Sequence, residues 1–171
     1  MKRNKIYWFS GPSGAGKTTV ARRIQQIDRR GEGKGYIILD GDEMRESISL
    51  GAGFSREERM QHNLRVARLA KILSSQVPVI VTVIAPMKEV REFIDGICSP
   101  TWVYIKRTMP EREGHFYEEP VGYFTSDHDK LDVMESATRI MVNLMDEEDP
   151  QDYINRMRNE WNSPEEDNEE A

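Results

Sequence analysis

Two patterns of apolar positions alternate along the chain. Short unbroken runs predict strands: "KIYWFS" over 5–10, "GYIILD" over 35–40, "VPVIVTVI" over 77–84 and "TWVYIK" over 101–106, with "VGYFTS" over 121–126 a weaker fifth. The third is apolar throughout, as expected of a strand covered on both faces. Helical spacing fills the gaps. From Thr18 to about Arg30, Val20, Ile24 and Ile27 fall on one face. "FSREERMQHNLRVARLAKILSSQ" opens with a capping box, Ser55 and Glu58, and offers Leu64, Ala67 and Leu69 to Leu73 as a buried stripe. Ala85-Pro86 is expected to open a helix toward Ile97, since proline is tolerated in a first turn. "KLDVMESATRIMVNLM" carries Leu131, Met134, Ala137, Met141 and Leu144, read as a core stripe rather than a binding groove. A last helix, "QDYINRMRNEW", would pack through Tyr153, Ile154, Met157 and Trp161. Alternating strands and helices predict an α/β fold, a parallel sheet with helices on both faces.

Composition narrows the class. The 171 residues fit one compact domain, expected over 1–162, followed by a solvated, disordered acidic tail over 163–171. The single cysteine, Cys98, excludes an internal disulfide framework and reads as packing rather than as a nucleophile. The N-terminal apolar run is too short for a signal peptide, and "VPVIVTVIAPM" is too short to span a bilayer. A cytoplasmic protein is expected. Net charge is −6, but "SPEEDNEEA" holds five of the acids, so the body is nearly neutral. It has no broad basic footprint for nucleic acid. The expected partners are small-molecule substrates rather than nucleic acid or membrane, and a homodimer stays open.

The candidate chemistry begins at "GPSGAGKTT". Gly-x-x-x-x-Gly-Lys-Thr between a predicted strand and a predicted helix is a phosphate grip. Its glycines let the backbone N–H groups of Gly11, Pro12, Ser13, Gly14, Ala15, Gly16, Lys17, Thr18 and Thr19, Pro12 excepted, wrap around oxygens. The following helix adds its positive end. Lys17 can reach the β- and γ-phosphates of ATP, and the Thr18 hydroxyl can ligate Mg²⁺. The plain alternative is a glycine-rich turn with an accidental lysine.

Three nucleotide-using classes are separable from here. A GTPase would offer an Asn-Lys-x-Asp base reader, which is absent; "DRRG" at Asp28 lies too close to the grip to be a switch. A motor-type ATPase would end the third strand in acids, where this chain has Ala85-Pro86. The acids follow the second strand instead, in "ILDGDEMR". Asp40 and Asp42 straddle a glycine at the edge of the sheet where open α/β folds bind ligands. A carboxylate there can orient a hydroxyl, accept its proton or hold Mg²⁺ through water. A helix cap and a turn are the plain reading of the same pair. Arg45, expected in the first turn of the next helix, can meet an anionic acceptor. Together these residues point to phosphoryl transfer onto a small anionic alcohol.

"FSGPSGAGKTTVA", "ILDGDEMR", "GFSREER" and "VIVTVIAP", in that order, resemble the adenylyl-sulfate kinase family over roughly residues 5 to 90, about half of the chain. The resemblance implies a P-loop NTPase-type three-layer sandwich with strand order 2-3-1-4-5. It implies transfer of the γ-phosphoryl of ATP to the 3′-hydroxyl of adenosine 5′-phosphosulfate (APS), giving 3′-phosphoadenosine 5′-phosphosulfate (PAPS). By position, Lys17 and Asp42 would be catalytic, with Asp42 the base. Asp40, Asp42, Arg45, Phe54, Arg59 and His62 would face the acceptor, Phe54 stacking on its adenine and Arg59 binding its phosphosulfate end. Phe54 could equally be a hydrophobic staple, Arg59 a solvated residue and His62 a packing residue.

The chain departs from the family pattern in places. His62 stands where the family has asparagine, and Ala85 where it has serine; Lys88 keeps the basic residue beyond. The family's long basic lid is reduced to "KRTMPEREGHFYEEPVGYF", in which Tyr117 and Pro120 echo "Y-E-x-P". Lys106, Arg107 and Arg112 are the lid's candidate sources of transition-state charge. The readings left beside APS phosphorylation are a kinase for another hydroxyl acceptor and an ATP-binding interaction module without turnover.

Overall fold

The computed structural model describes residues 5–30, 35–145 and 158. Of the helix expected over 151–161 only Arg158 is described, and it is helical. The acidic tail lies outside the described residues.

The elements follow in the order β1 (Ile6–Ser10), α1 (Lys17–Arg30), β2 (Ile37–Asp40), α2 (Gly41–Glu46), α3 (Arg56–Leu73), β3 (Val79–Thr82), α4 (Lys88–Cys98), β4 (Thr101–Lys106), β5 (Phe124–Asp127) and α5 (Val133–Ile140). A π-helical turn, Met141–Met145, continues α5. The five strands form one sheet in the order β2-β3-β1-β4-β5, every pair parallel. Successive residues of β1 face opposite ways, which divides the core in two. Tyr7 and Phe9 pack with Val20, Ile24 and Ile27 of α1 and Ala137 and Ile140 of α5. Ile6 and Trp8 pack with Val66, Ala67 and Ala70 of α3 and Val90 and Ile94 of α4. This is the three-layer arrangement expected. Because α1 and α4 cover opposite faces of the sheet, the loops after the neighbouring strands β1 and β3 diverge and open a crevice at the strands' C-terminal ends.

Three local expectations are corrected. Ala85-Pro86 does not open α4: Ala85 has φ +47, in the left-handed region, and the helix starts at Lys88. The left-handed turn at Ala85 is held by its carbonyl, which accepts from Arg91 Nη1 at 2.9 Å. The buried side of α3 is His62, Asn63, Val66, Ala67 and Ala70, whereas Ile72 is exposed. Two polar residues therefore occupy the helix face that the apolar pattern had assigned further round. Arg45 lies in the last turn of α2 and not its first, because α2 is only six residues long.

Candidate functional site

The phosphate loop joins β1 to α1. A Cβ on Gly11 would lie 2.4 Å from the carbonyl oxygen of Ile105, so only glycine fits where the loop leaves the sheet. Gly16 has φ +99, and the first hydrogen bond of α1 runs from Val20 N–H to its carbonyl. Lys17 is buried, and its Nζ donates to the carbonyls of Gly11 (2.9 Å) and Pro12 (2.8 Å). Burial brings the Lys17 ammonium down to about 8, against the opposing pull of Asp40 and Asp42. It stays charged at neutral pH.

Asp40 ends β2 and caps α2, accepting from the N–H groups of Asp42 and Glu43. Its other oxygen accepts from the hydroxyls of Thr18 (2.5 Å) and Thr82 (3.1 Å). Burial opposes its charge, but the Thr18, backbone and Thr82 hydrogen bonds outweigh that and hold the carboxyl below its usual range. The cap and the site are thus one arrangement. A hydroxyl beside a firmly ionised carboxylate is a hard-oxygen pair, which suits Mg²⁺ bound mainly by phosphate and water. Among the described residues no cluster of three or more His, Cys, Asp or Glu offers an all-protein metal cage.

Across the crevice, Gly41, Asp42, Arg45, Arg59, His62, Asn63 and Pro86 line a small cavity of about 60 Å³. The guanidinium of Arg45 sits 4.4 Å above the Phe54 ring and donates to Gly53 O at 3.1 Å. Arg59 lies 5.5 Å from the same ring and donates to the carbonyls of Phe54 (2.8 Å) and Gly114 (3.1 Å). Phe54 precedes the cap of α3 and packs on Arg59 in its first turn, so it staples the helix through a cation–π contact. It is nonetheless 65% exposed. The neighbouring groove, about 280 Å³, has Phe54 and Arg59 among its walls together with Phe116, itself 64% exposed. Sequence reasoning passed over Phe116, because one aromatic in a polar loop carries no periodic signal.

His62 is buried, with Nδ1 2.9 Å from Ser49 Oγ. Burial, helped by the positive charges of Arg45 and Arg65, pushes it down to about 4, so it is neutral at pH 7. Its Nε2 and the Oδ1 of Asn63 are buried without a hydrogen-bond partner. Orphaned polar atoms cost free energy, and here both belong to residues lining the small cavity beside Asp42 and Arg45.

Arg107 and Arg112 share a third cavity, about 270 Å³, with Pro12 and Ser13 of the phosphate loop. The lid segment is tied down on both sides. Thr108 donates through N–H and hydroxyl to Asp129, and the Glu118 carboxylate accepts from Lys88 N–H at the start of α4. Tyr117 meets Ser10 Oγ at 2.7 Å and stacks on Tyr104. The sequence-selected residues therefore fall in the phosphate loop and the Asp40 cap beneath it, in two adjoining cavities that share Arg59 and Pro86, and in the separate cavity of the lid. Thr19 is the outlier, exposed on α1. Cys98, the last residue of α4, is half-buried against the core near Lys5 and Thr101, away from the phosphate loop, and burial raises its thiol to about 12, as an inert packing cysteine requires.

Comparison with known proteins agrees with this architecture. A probable adenylyl-sulfate kinase of Aeropyrum pernix is 34% identical over 117 residues, 65% of this chain and 63% of that protein. Another, of Halalkalibacterium halodurans, is 31% identical over 84% of this chain and 86% of its own length. The chain spans about half the length of several other curated relatives. Among solved structures, an APS kinase of Mycobacterium tuberculosis in complex with AMPPNP and APS superposes with a TM-score of 0.70, covering 82% of this chain and 97% of that one. At 21% identity that likeness speaks for the fold alone. The family model for adenylylsulphate kinase matches residues 3–112, and the chain belongs to that family.

Proposed function

We propose that this protein transfers the γ-phosphoryl group of ATP to the 3′-hydroxyl of APS, yielding PAPS and ADP. The observation that carries the reading is the position of Asp42. It lines the small cavity with Arg45 and Arg59, and its N–H donates to Asp40, the carboxylate that accepts from Thr18 of the phosphate loop, so it stands between donor and acceptor. An exposed carboxylate at that point is placed to take a proton from a hydroxyl.

In this reading the N–H groups of the phosphate loop and Lys17 hold the β- and γ-phosphates. The acceptor adenine lies in the groove of Phe54 and Phe116, and Arg45 and Arg59 face its phosphosulfate. As the acceptor oxygen bonds to the γ-phosphorus, the bond to the bridging oxygen of ADP breaks and the acceptor proton passes to Asp42. Lys17 offsets the charge developing on the transferred group, and Arg107 and Arg112 add to it from the lid. The residues that would hold Mg²⁺ are Thr18 and, through water, Asp40; when bound the ion neutralises charge on the phosphate oxygens.

A second reading keeps the chemistry and changes the acceptor. What favours it is His62, where the family resemblance calls for asparagine, together with the shortened lid. The test is ADP formation from MgATP with APS, set against a panel of other nucleotides and sugar alcohols. PAPS formed at the highest kcat/KM supports the proposal. Lys17-dependent ADP formation only with another alcohol would replace it with the second reading.

A further inference from the structure

His128, beyond the end of β5, lies against the phosphate loop from outside. Its Nδ1 is 2.9 Å from the carbonyl oxygen of Ala15, and its Nε2 is 2.8 Å from Ser136 Oγ. Ser136 Oγ is in turn 2.6 Å from Ser126 Oγ, and both serines are buried. The chemistry of the partners sets every direction in this chain. A carbonyl only accepts, so Nδ1 carries the proton. With Nδ1 protonated in a neutral ring, Nε2 accepts from the Ser136 hydroxyl, and Ser136 accepts from Ser126. Burial disfavours the charged imidazole and lowers its pKa, which keeps the ring neutral.

The consequence falls on the next peptide. The Ala15–Gly16 peptide is planar and trans, since the described chain has no cis bond, so its carbonyl and the Gly16 N–H point opposite ways. A carbonyl held toward His128 turns the Gly16 N–H away from His128, to the inner side of the loop. Ala15 N–H is occupied by Pro12 O at 3.2 Å, so its own peptide is fixed by the turn. Gly16 has φ +99, which favours glycine, and a Cβ there would also press on His128 Nδ1 at 3.0 Å.

We propose that His128 is a positioning residue for phosphate binding: its Nδ1–H clamps the Ala15 carbonyl and thereby aims the Gly16 N–H into the cradle, with Ser126 and Ser136 fixing the tautomer. This rests on the reading that the loop binds ATP phosphates. The two ring nitrogens can be tested apart. In His128→Asn the amide sits where Nδ1 was, so it keeps the clamp and loses Ser136. In His128→Gln the amide reaches toward Ser136 and loses the clamp.

MgATP dissociation constants are measured by calorimetry for wild type, His128→Asn, His128→Gln, His128→Ala and Lys17→Ala, with thermal unfolding alongside. The expected result is near-wild-type affinity for Asn and a loss of roughly tenfold for Gln and Ala, about the worth of one hydrogen bond to the loop. The KM for ATP should rise in step, with kcat and the acceptor KM moving less. Long-range ¹H–¹⁵N NMR should find His128 protonated at Nδ1. Affinity kept by Gln and lost by Asn, or an Nε2–H tautomer, would overturn the proposal and leave His128 a strut between β5 and α5. If wild type and Lys17→Ala alike fail to bind ATP, the phosphate reading falls and takes the inference with it. The NMR tautomer reads the fold directly, should a variant not fold.

Discussion

The proposed phosphate side of the site and its proposed acceptor side are held in different ways. On the phosphate side the working atoms are backbone N–H groups, and their supports are buried: Lys17 on the Gly11 and Pro12 carbonyls, Asp40 beneath Thr18 and Thr82, Ile105 against Gly11. On the acceptor side the working atoms are side chains on loops and helix ends, and Phe54 and Phe116 are both more than half exposed. Arg45 and Arg59 donate to loop carbonyls and lie over the Phe54 ring. A phosphate is the same in every nucleotide, so a rigid cradle serves. An acceptor must be told from its competitors, and exposed side chains over a backbone frame can be exchanged without disturbing the sheet.

Breaking the phosphate side should cost most. Lys17→Ala should lower kcat/KM by on the order of 10³ or more, the scale of losing a charged group aimed at the transferring phosphate. Steady-state kinetics with both substrates varied would measure it. Asp42→Asn should lower kcat by roughly 10²–10⁴, the range for a general base, with ATP affinity held. A fall in ATP affinity equal to that in kcat would move Asp42 to the phosphate side. Phe54→Ala should raise the acceptor KM by about tenfold, within the 1–3 kcal/mol of base–aromatic stacking, and leave the KM for ATP unchanged. It would also loosen the start of α3, so thermal unfolding should accompany the kinetics.

The smallest effect sharpens the comparison through pH. The His62 pKa is lowered by burial to about 4 in the folded protein, from the ordinary 6.5. The unfolded chain therefore binds the extra proton first. Stability from neutral His62 is intact above pH 6.5 and is lost as pH falls toward 4. His62→Asn should flatten that part of the stability–pH curve in denaturant titrations, while the acceptor KM stays level between pH 8 and 6 in wild type.

The fold was legible because its signals are local and strong. An unbroken "IYWF" places aromatic and aliphatic groups on both faces of β1, as a central strand needs. The Ser55–Glu58 box marks the start of α3 in full. The same signal stands at Asp132 and Glu135 and starts α5. Less legible features depend on contacts made by the fold. Nothing near Ala85 in sequence announces its left-handed turn, and Arg91, which donates to its carbonyl at 2.9 Å, is six residues away. The buried His62 and Asn63 defeat an apolar stripe because they face a polar cavity rather than the core. At the site, Lys17, Thr18, Asp40 and Asp42 come from two short motifs. Thr82 and Phe116 join the site from two further segments, His128 braces the phosphate loop from behind, and none of the three shares a spacing with those motifs. Only the topology brings them there.

A single turnover follows the phosphoryl group itself from ATP to APS. Enzyme in excess over γ-labelled ATP is mixed with APS and Mg²⁺, and the label is followed into product. The label is expected to leave ATP and reach the 3′-position of PAPS in step with ADP, in wild type but not in Lys17→Ala. Label released as free phosphate, or retained in bound ATP while APS is present, would contradict it.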